Sequence, residues 1–234
     1  NDIQGQAESN IQLGEAYVIM ARDLGPAARE FTLWGDFTQA LIYMRTASDL
    51  YARNNDFQSQ GYVLLRIGDL QLLTGRTEQA DSSYDNALVS FTTAQDPIGQ
   101  AQTFTKQARV AYLNGSERIA YRSLLDAEAL LQLDTINPLA ETLVRLAQSE
   151  VQMNLGLIYL DAEMFEQASQ AFTEAESTQL RYGSPLSYLT TAYRGNLELA
   201  RGNESSARSI YTQVLSSSRN SQASAIAARG LGII

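Results

Sequence analysis

Residues 152–176, QMNLGLIYLDAEMFEQASQAFTEAE, admit one local fold. Leu155, Gly156 and Tyr159 share a helical face, and Ala168, Phe172 and Ala175 share another. The three residues between these segments, 161–163, are too few to let two helices part, so the helices fold back as an antiparallel pair. Gly156 and Ala168 have almost no side chain and let the backbones approach closely, while Tyr159 and Phe172 fill the space beside them. A glycine inside a helix costs roughly 1 kcal/mol against alanine, and close packing is the compensation it implies.

The same frame recurs along the chain. Leu64, Ile67, Gly68, Ala80, Tyr84 and Ala87 flank a turn at Thr74-Gly75-Arg76. Phe104, Ala108, Ala120, Leu124 and Ala127 flank Asn114-Gly115, and Gly195, Ala207, Tyr211 and Val214 flank Arg201-Gly202-Asn203. At the front, Phe31, Ala40, Met44 and Ala47 fit around Trp34-Gly35-Asp36, with Trp34 packed at the turn. Leu13-Gly14-x2-Tyr17 echoes a first helix but finds no second helix at the usual distance.

Leu-Gly-x2-Tyr followed by Ala-x3-Phe-x2-Ala resembles the tetratricopeptide repeat, a helix–turn–helix unit of about 34 residues. The anchor alanines Ala40, Ala80, Ala120, Ala168 and Ala207 are 40, 40, 48 and 39 residues apart, so the likeness is to a longer-helix variant with repeats of about 40 residues. The family's usual proline after the second helix is missing from most copies; Pro97 and Pro138 come later, opening the next helix. The resemblance runs from about residue 21 to the C-terminus. It implies an all-α fold, a right-handed α-α superhelical solenoid of antiparallel helix pairs. We expect a single domain over 1–234, with a preceding helix at 5–24. Pairs follow at about 26–54 (helices 26–34 and 36–53), 57–94, 97–132, 138–180 and 185–218, then a terminal helix at 221–232. Asp56, Asp96-Pro97, Ser116-Glu117 and Ser184-Pro185 supply helix starts.

Composition narrows the function. Hydrophobic residues at 44% and charged residues at 18% describe a folded chain, not a disordered one. No apolar run approaches the roughly 18 residues needed to span a bilayer. The absence of cysteine and histidine excludes disulfides, thiolate or imidazole metal sites and histidine acid–base chemistry. Absent cysteine fits an exported bacterial protein, and the chain begins with Asn, not Met, so the expected compartment is the bacterial periplasm or cell envelope, with the cytoplasm second. The net charge of −9 sets the wrong field for nucleic acid or anionic membranes. That charge is uneven: residues 123–176 hold 10 acids and one arginine, whereas residues 177–234 hold 2 acids and 6 arginines.

No catalytic constellation emerges, and neither enzyme activity, cofactor nor metal is expected. Asp161 with Glu163, and Glu174 with Glu176, read as solvated charge; Lys106, the single lysine, reads as a surface residue. Asn54-Asn55-Asp56 lacks calcium-loop spacing, and Gly230-Leu231-Gly232 has no strand before it for a phosphate loop. What remains is a surface. The resemblance implies a concave groove lined by the first helices of successive pairs, which contacts a protein or peptide segment. Carried over, the partner-binding residues are Tyr62, Leu65, Asp69, Arg109, Tyr112, Glu150, Met153, Leu157 and Asn196, with Leu72, Gln102, Thr105, Leu160, Leu189 and Ala192 beside them. For Leu65, Leu157 and Leu160 the alternative is core. The lysine-rich carboxylate clamp of chaperone-binding members is not reproduced, because Leu65, Asp69, Thr105 and Arg109 stand at its positions. The expected function is a protein–protein interaction scaffold; the alternative is a regulatory or self-assembly domain of a longer bacterial protein, with the apolar end, 231–234, as a cut or docking point. The acidic middle implies a basic partner with apolar anchors, or a homo-oligomer in which the arginine-rich tail meets a neighbour's acidic middle.

Overall fold

A computed structural model describes residues 2–23, 26–131, 140–218 and 220–233, with the backbone alone for 20–36 and 221. These residues form α1 (Ile3–Asp23), α2 (Pro26–Arg53), α3 (Phe57–Leu73), α4 (Thr77–Ala94), α5 (Pro97–Leu113) and α6 (Glu117–Leu131). They continue with α7 (Glu141–Asp161), α8 (Phe165–Arg181), α9 (Leu186–Ala200), α10 (Glu204–Ser217) and α11 (Ser221–Ile233). No strand occurs among the described residues, and none of the described helices is long and apolar enough to cross a membrane. Adjacent helices pack on one another, as expected of a tetratricopeptide-like helical solenoid: α1 on α2, α3 on α4, α7 on α8 and α9 on α10. The contacts divide into two compact units, Asn1–Val110 and Ala111–Ile234.

The front of the chain corrects one expectation. α2 runs unbroken from Pro26 to Arg53, so there is no turn at Trp34-Gly35-Asp36. A lone glycine weakens a helix without ending it, and Phe37, Leu41, Met44, Ala47 and Tyr51 extend one buried face beyond it. Pro26 occupies the first helical position, where its missing N–H is no loss. The first pair is therefore α1 with α2, and Leu13-Gly14-x2-Tyr17 is its first helix. A Cβ on Gly14 would lie 3.0 Å from Met44 Cγ and 3.2 Å from the Ala40 carbonyl. The packing of Trp34 lies outside the described residues, as does the helix start at Pro138; α7 begins at Glu141.

Seven turns among the described residues from Asn54 to Asn203 share one geometry. A residue in the left-handed region follows the helix: Asn55, Gly75, Gln95, Gly115, Glu163, Gly183 or Gly202. The next amide then bonds back to a carbonyl five residues earlier, as in Arg76 N to Gln71 O at 2.8 Å and Met164 N to Tyr159 O at 2.8 Å. Asp56 and Asp96 then start α3 and α5, their carboxylates accepting from Ser59 N at 3.0 Å and Gly99 N at 2.9 Å.

Each pair closes on a small residue in the first helix facing a large one in the second. A Cβ on Gly68 would sit 2.3 Å from Tyr84 Cε1, on Gly156 2.5 Å from Phe172 Cε1, and on Gly195 2.3 Å from Tyr211 Cε1. The anchor alanines Ala40, Ala80, Ala120, Ala168 and Ala207 are fully buried. In these three crossings the missing Cβ makes room for the ring, which keeps the helices close without overpacking.

Candidate functional site

In the first unit the expected surface residues lie on α3 and α5. Tyr62 is half-buried, its ring edge-on to Phe91 with centroids 4.9 Å apart. Its hydroxyl donates to Asp96 Oδ2 at 3.3 Å, and the same carboxylate oxygen accepts from Gln58 Nε2 at 2.9 Å. Burial, with the neighbouring Asp96 charge and that hydrogen bond, pushes the phenol up to about 12. Tyr62 therefore offers a fixed, protonated ring. Asp69 accepts from the Tyr84 hydroxyl at 2.9 Å and lies 3.6 Å from Lys106 Nζ. Arg109 is half-buried on α5, one turn beyond Lys106. Leu65 and Thr105 are buried and present no surface; Leu65 belongs to the cluster around Tyr84 and Phe91. Leu72 and Gln102 are half-buried.

In the second unit the residues lie at the end of α5 and on α7 and α9. Tyr112 donates its hydroxyl to Asp161 Oδ2. Burial first, then that hydrogen bond and the Asp161 charge, raise its phenol well above the ordinary tyrosine range. Glu150 is half-buried on α7. Met153 is 1% exposed and forms part of the core with Phe172, Leu189 and Ala192, so it backs the surface and does not reach it. Leu157 and Leu160 are half-buried, packed against that core. Asn196 accepts from the Tyr211 hydroxyl at 2.7 Å.

These partners show a rule in the frame. The residue after the small glycine meets the tip of the second-helix aromatic: Asp69 holds Tyr84 and Asn196 holds Tyr211. Where the aromatic is Phe172, which has no hydroxyl, the matching residue is the apolar Leu157. Asp69 and Asn196 thus each serve the fold with one oxygen while remaining half-exposed on the surface.

Three of the four carboxylates weighed for acid–base work have other partners, and Glu163 is exposed at the left-handed turn position. Asp161 holds Tyr112, Glu174 accepts from Gln170 Nε2 at 2.9 Å, and Glu176 binds Arg194 and Thr191. Sequence reasoning did not find Asp96 and Asp161 as organisers of the two tyrosines. Asp96 announced itself only as a cap before Pro97, and Asp161 lies 49 residues from Tyr112 with no local pattern to join them. The arrangement provides hydrogen bonding, fixed aromatic edges and charge, which suit recognition.

Residues 149–179 match the tetratricopeptide repeat family model. No curated protein matches the sequence. Among solved structures, BtubC (BKLC) from P. vanneervenii is similar over 99% of this chain and 93% of its own, with a TM-score of 0.54 and 15% identity. The APC/C hetero-tetramer Cut9–Hcn1 gives a TM-score of 0.45 at 15% identity, over 98% of this chain and 48% of that one. At this identity the likeness to BtubC is one of fold alone. Residues 149–179 thus resemble one tetratricopeptide repeat, and the helix pairs around them share that helical-repeat fold.

Proposed function

We propose that this chain is a protein–protein interaction scaffold whose first helices bind a peptide or protein segment. The observation that carries this reading is repetition at the surface: in each unit the first-helix frame positions bring polar and aromatic groups part-way to solvent on a rigid backing. In the first unit these are Tyr62, Asp69 and Arg109; in the second, Tyr112, Glu150 and Asn196, with the apolar Leu157 beside them. Leu65 and Met153 support them from beneath. Tyrosine and arginine held in place by packing bind with little loss of side-chain freedom, which is why they concentrate at interfaces.

The partner we infer for the second unit is a segment bearing arginine or lysine beside an apolar anchor. It rests on the ten acids against one arginine over residues 123–176, with Glu150 and the half-buried Leu157 on α7 among them. Acidic groups around an apolar contact steer a basic segment and set its register. Fluorescence anisotropy with a labelled Arg-Leu peptide tests it. Binding is expected to weaken as salt screens surface charge and on Glu150→Gln. Binding indifferent to both changes would sink the charge-guided reading.

A further inference from the structure

Five second helices carry an anchor alanine; in α2 the frame positions hold Thr38, the buried Leu41 and the exposed Ile42 and Arg45, and the other four can be compared position by position. At two before, one after, two after and five after the anchor, all four turn side chains outward. In α4 these are Glu78, Asp81, Ser82 and Asp85; in α8 Glu166, Ser169, Gln170 and Thr173; in α10 Ser205, Arg208, Ser209 and Thr212. That is the composition of a solvated face. In α6 the same four positions hold Arg118, Tyr121, Arg122 and Leu125, and all are exposed, Tyr121 at 37% and Leu125 at 41%. The inward face of α6 is fully used: Ala120, Leu124, Ala127 and Leu131 are buried.

Arg118 and Arg122 lie one turn apart, a like-charge spacing that disfavours a helix in isolation. No ion pair among the described residues engages either of them, whereas Arg145, Arg194 and Arg201 each have a carboxylate partner. Tyr121 is steadied edge-on against Tyr159 of α7, with centroids 6.4 Å apart. Glu117 and Asp126 are also exposed on α6. A chain of net charge −9 thus places two guanidinium groups with no ion pair among the described residues, a braced tyrosine and an exposed leucine on one helix face.

We propose that the outer face of α6 is a docking site for an acidic protein segment carrying an apolar side chain. Charge complementarity selects the occupant: guanidinium groups pair bidentately with carboxylates, and Tyr121 and Leu125 give an apolar anchor its contact. This surface is separate from the one on α7 and α9, and its test does not depend on that reading.

The probe is a labelled helical peptide with two glutamates one turn apart followed by a leucine, compared with its glutamine analogue by fluorescence anisotropy on the full chain. The glutamate peptide is expected to bind about tenfold more tightly than the analogue, and to lose that advantage at high salt and in Arg118→Glu/Arg122→Glu. Leu125→Ser should weaken both peptides, which keeps the test alive if the double variant folds poorly. Arg208→Glu, at the frame position of Tyr121 in α10, should change nothing. Equal binding of the two peptides, no binding, or an equal loss with Arg208→Glu overturns the proposal. So does binding to phosphatidylserine vesicles in place of the peptide, or a dimer in sedimentation that Arg118→Glu/Arg122→Glu dissolves, since a membrane or a second copy would then be the occupant.

Discussion

The rule joining the residue after the glycine to the tip of the second-helix aromatic can be tested by moving it. Phe172→Tyr would place a hydroxyl opposite Leu157, where the other copies have Asp69 or Asn196. An unpaired polar group there is expected to cost about 1–2 kcal/mol, and Leu157→Asn alone about 1 kcal/mol from lost apolar contact. Together they should recover about 0.5–1.5 kcal/mol relative to the sum, as coupled neighbours do. Urea denaturation of the four proteins measures this; strict additivity would show that the two side chains do not meet. Tyr62 makes a second residue-scale test. Its folded pKa of about 12 lies above the ordinary value of 10.0. The folded state therefore holds the proton more tightly, so this contribution is present below pH 10 and is lost as pH rises toward about 12. Tyr62→Phe should reduce the fall in melting temperature across that window, not abolish it, because burial also raises Tyr51, Tyr112, Tyr159 and Tyr211.

At the scale of helices, one joint is built differently from its counterpart. Between α3, α4 and α5, Phe91 fills the space left by Gly61 and Gly99, where added Cβ atoms would lie 2.7 and 2.2 Å from its ring. Gln179 of α8 stands at the same distance from its anchor alanine as Phe91, with the buried Ser149 and Ser187 at the glycine positions. Its Oε1 accepts from Thr190 at 2.7 Å, but Nε2 is buried with no partner among the described residues. Removing an unpaired buried amide favours folding by about 1–3 kcal/mol, and Thr190 retains its bond to the Leu186 carbonyl. Gln179→Met should therefore leave the melting temperature unchanged or raise it; a fall of several degrees would mean that Gln179 has a partner after all. How legible these elements were in the sequence follows the range of their causes. The turns at Gly75, Gly115 and Gly202 could be read because the anchor alanine and the left-handed residue both lie within one helical turn of the event. The turn read at Trp34-Gly35-Asp36 failed because a glycine in register with an apolar face marks either a bend or a weak point, and the buried face continuing through Phe37 and Leu41 decides for the latter. On the surface, the repeat frame carries Tyr62 and Asn196 to half-buried positions, while Asp96 and Asp161 act on tyrosines 34 and 49 residues away, beyond any local period.

For the whole molecule, the sequence reading of one continuous domain becomes a proposal about cooperativity. In a repeat array stability is approximately a sum of unit terms and nearest-neighbour terms, so damage in one unit spreads as far as its neighbours are coupled. The chain carries its own reporter, since Trp34 is the single tryptophan and falls within Asn1–Val110. Ala168 lies in Ala111–Ile234 and is fully buried beside the Gly156–Phe172 crossing. Ala168→Leu adds volume with no space to receive it and should cost about 1–3 kcal/mol. If the array unfolds as one body, the urea midpoint followed by Trp34 fluorescence falls with the midpoint followed by far-ultraviolet circular dichroism, and the two curves superimpose in both proteins. If Trp34 keeps its wild-type midpoint while the dichroism splits into two steps, the compact units are independent domains and the single-domain reading fails. An unchanged dichroism midpoint would instead show that Ala168 is not at a tight crossing.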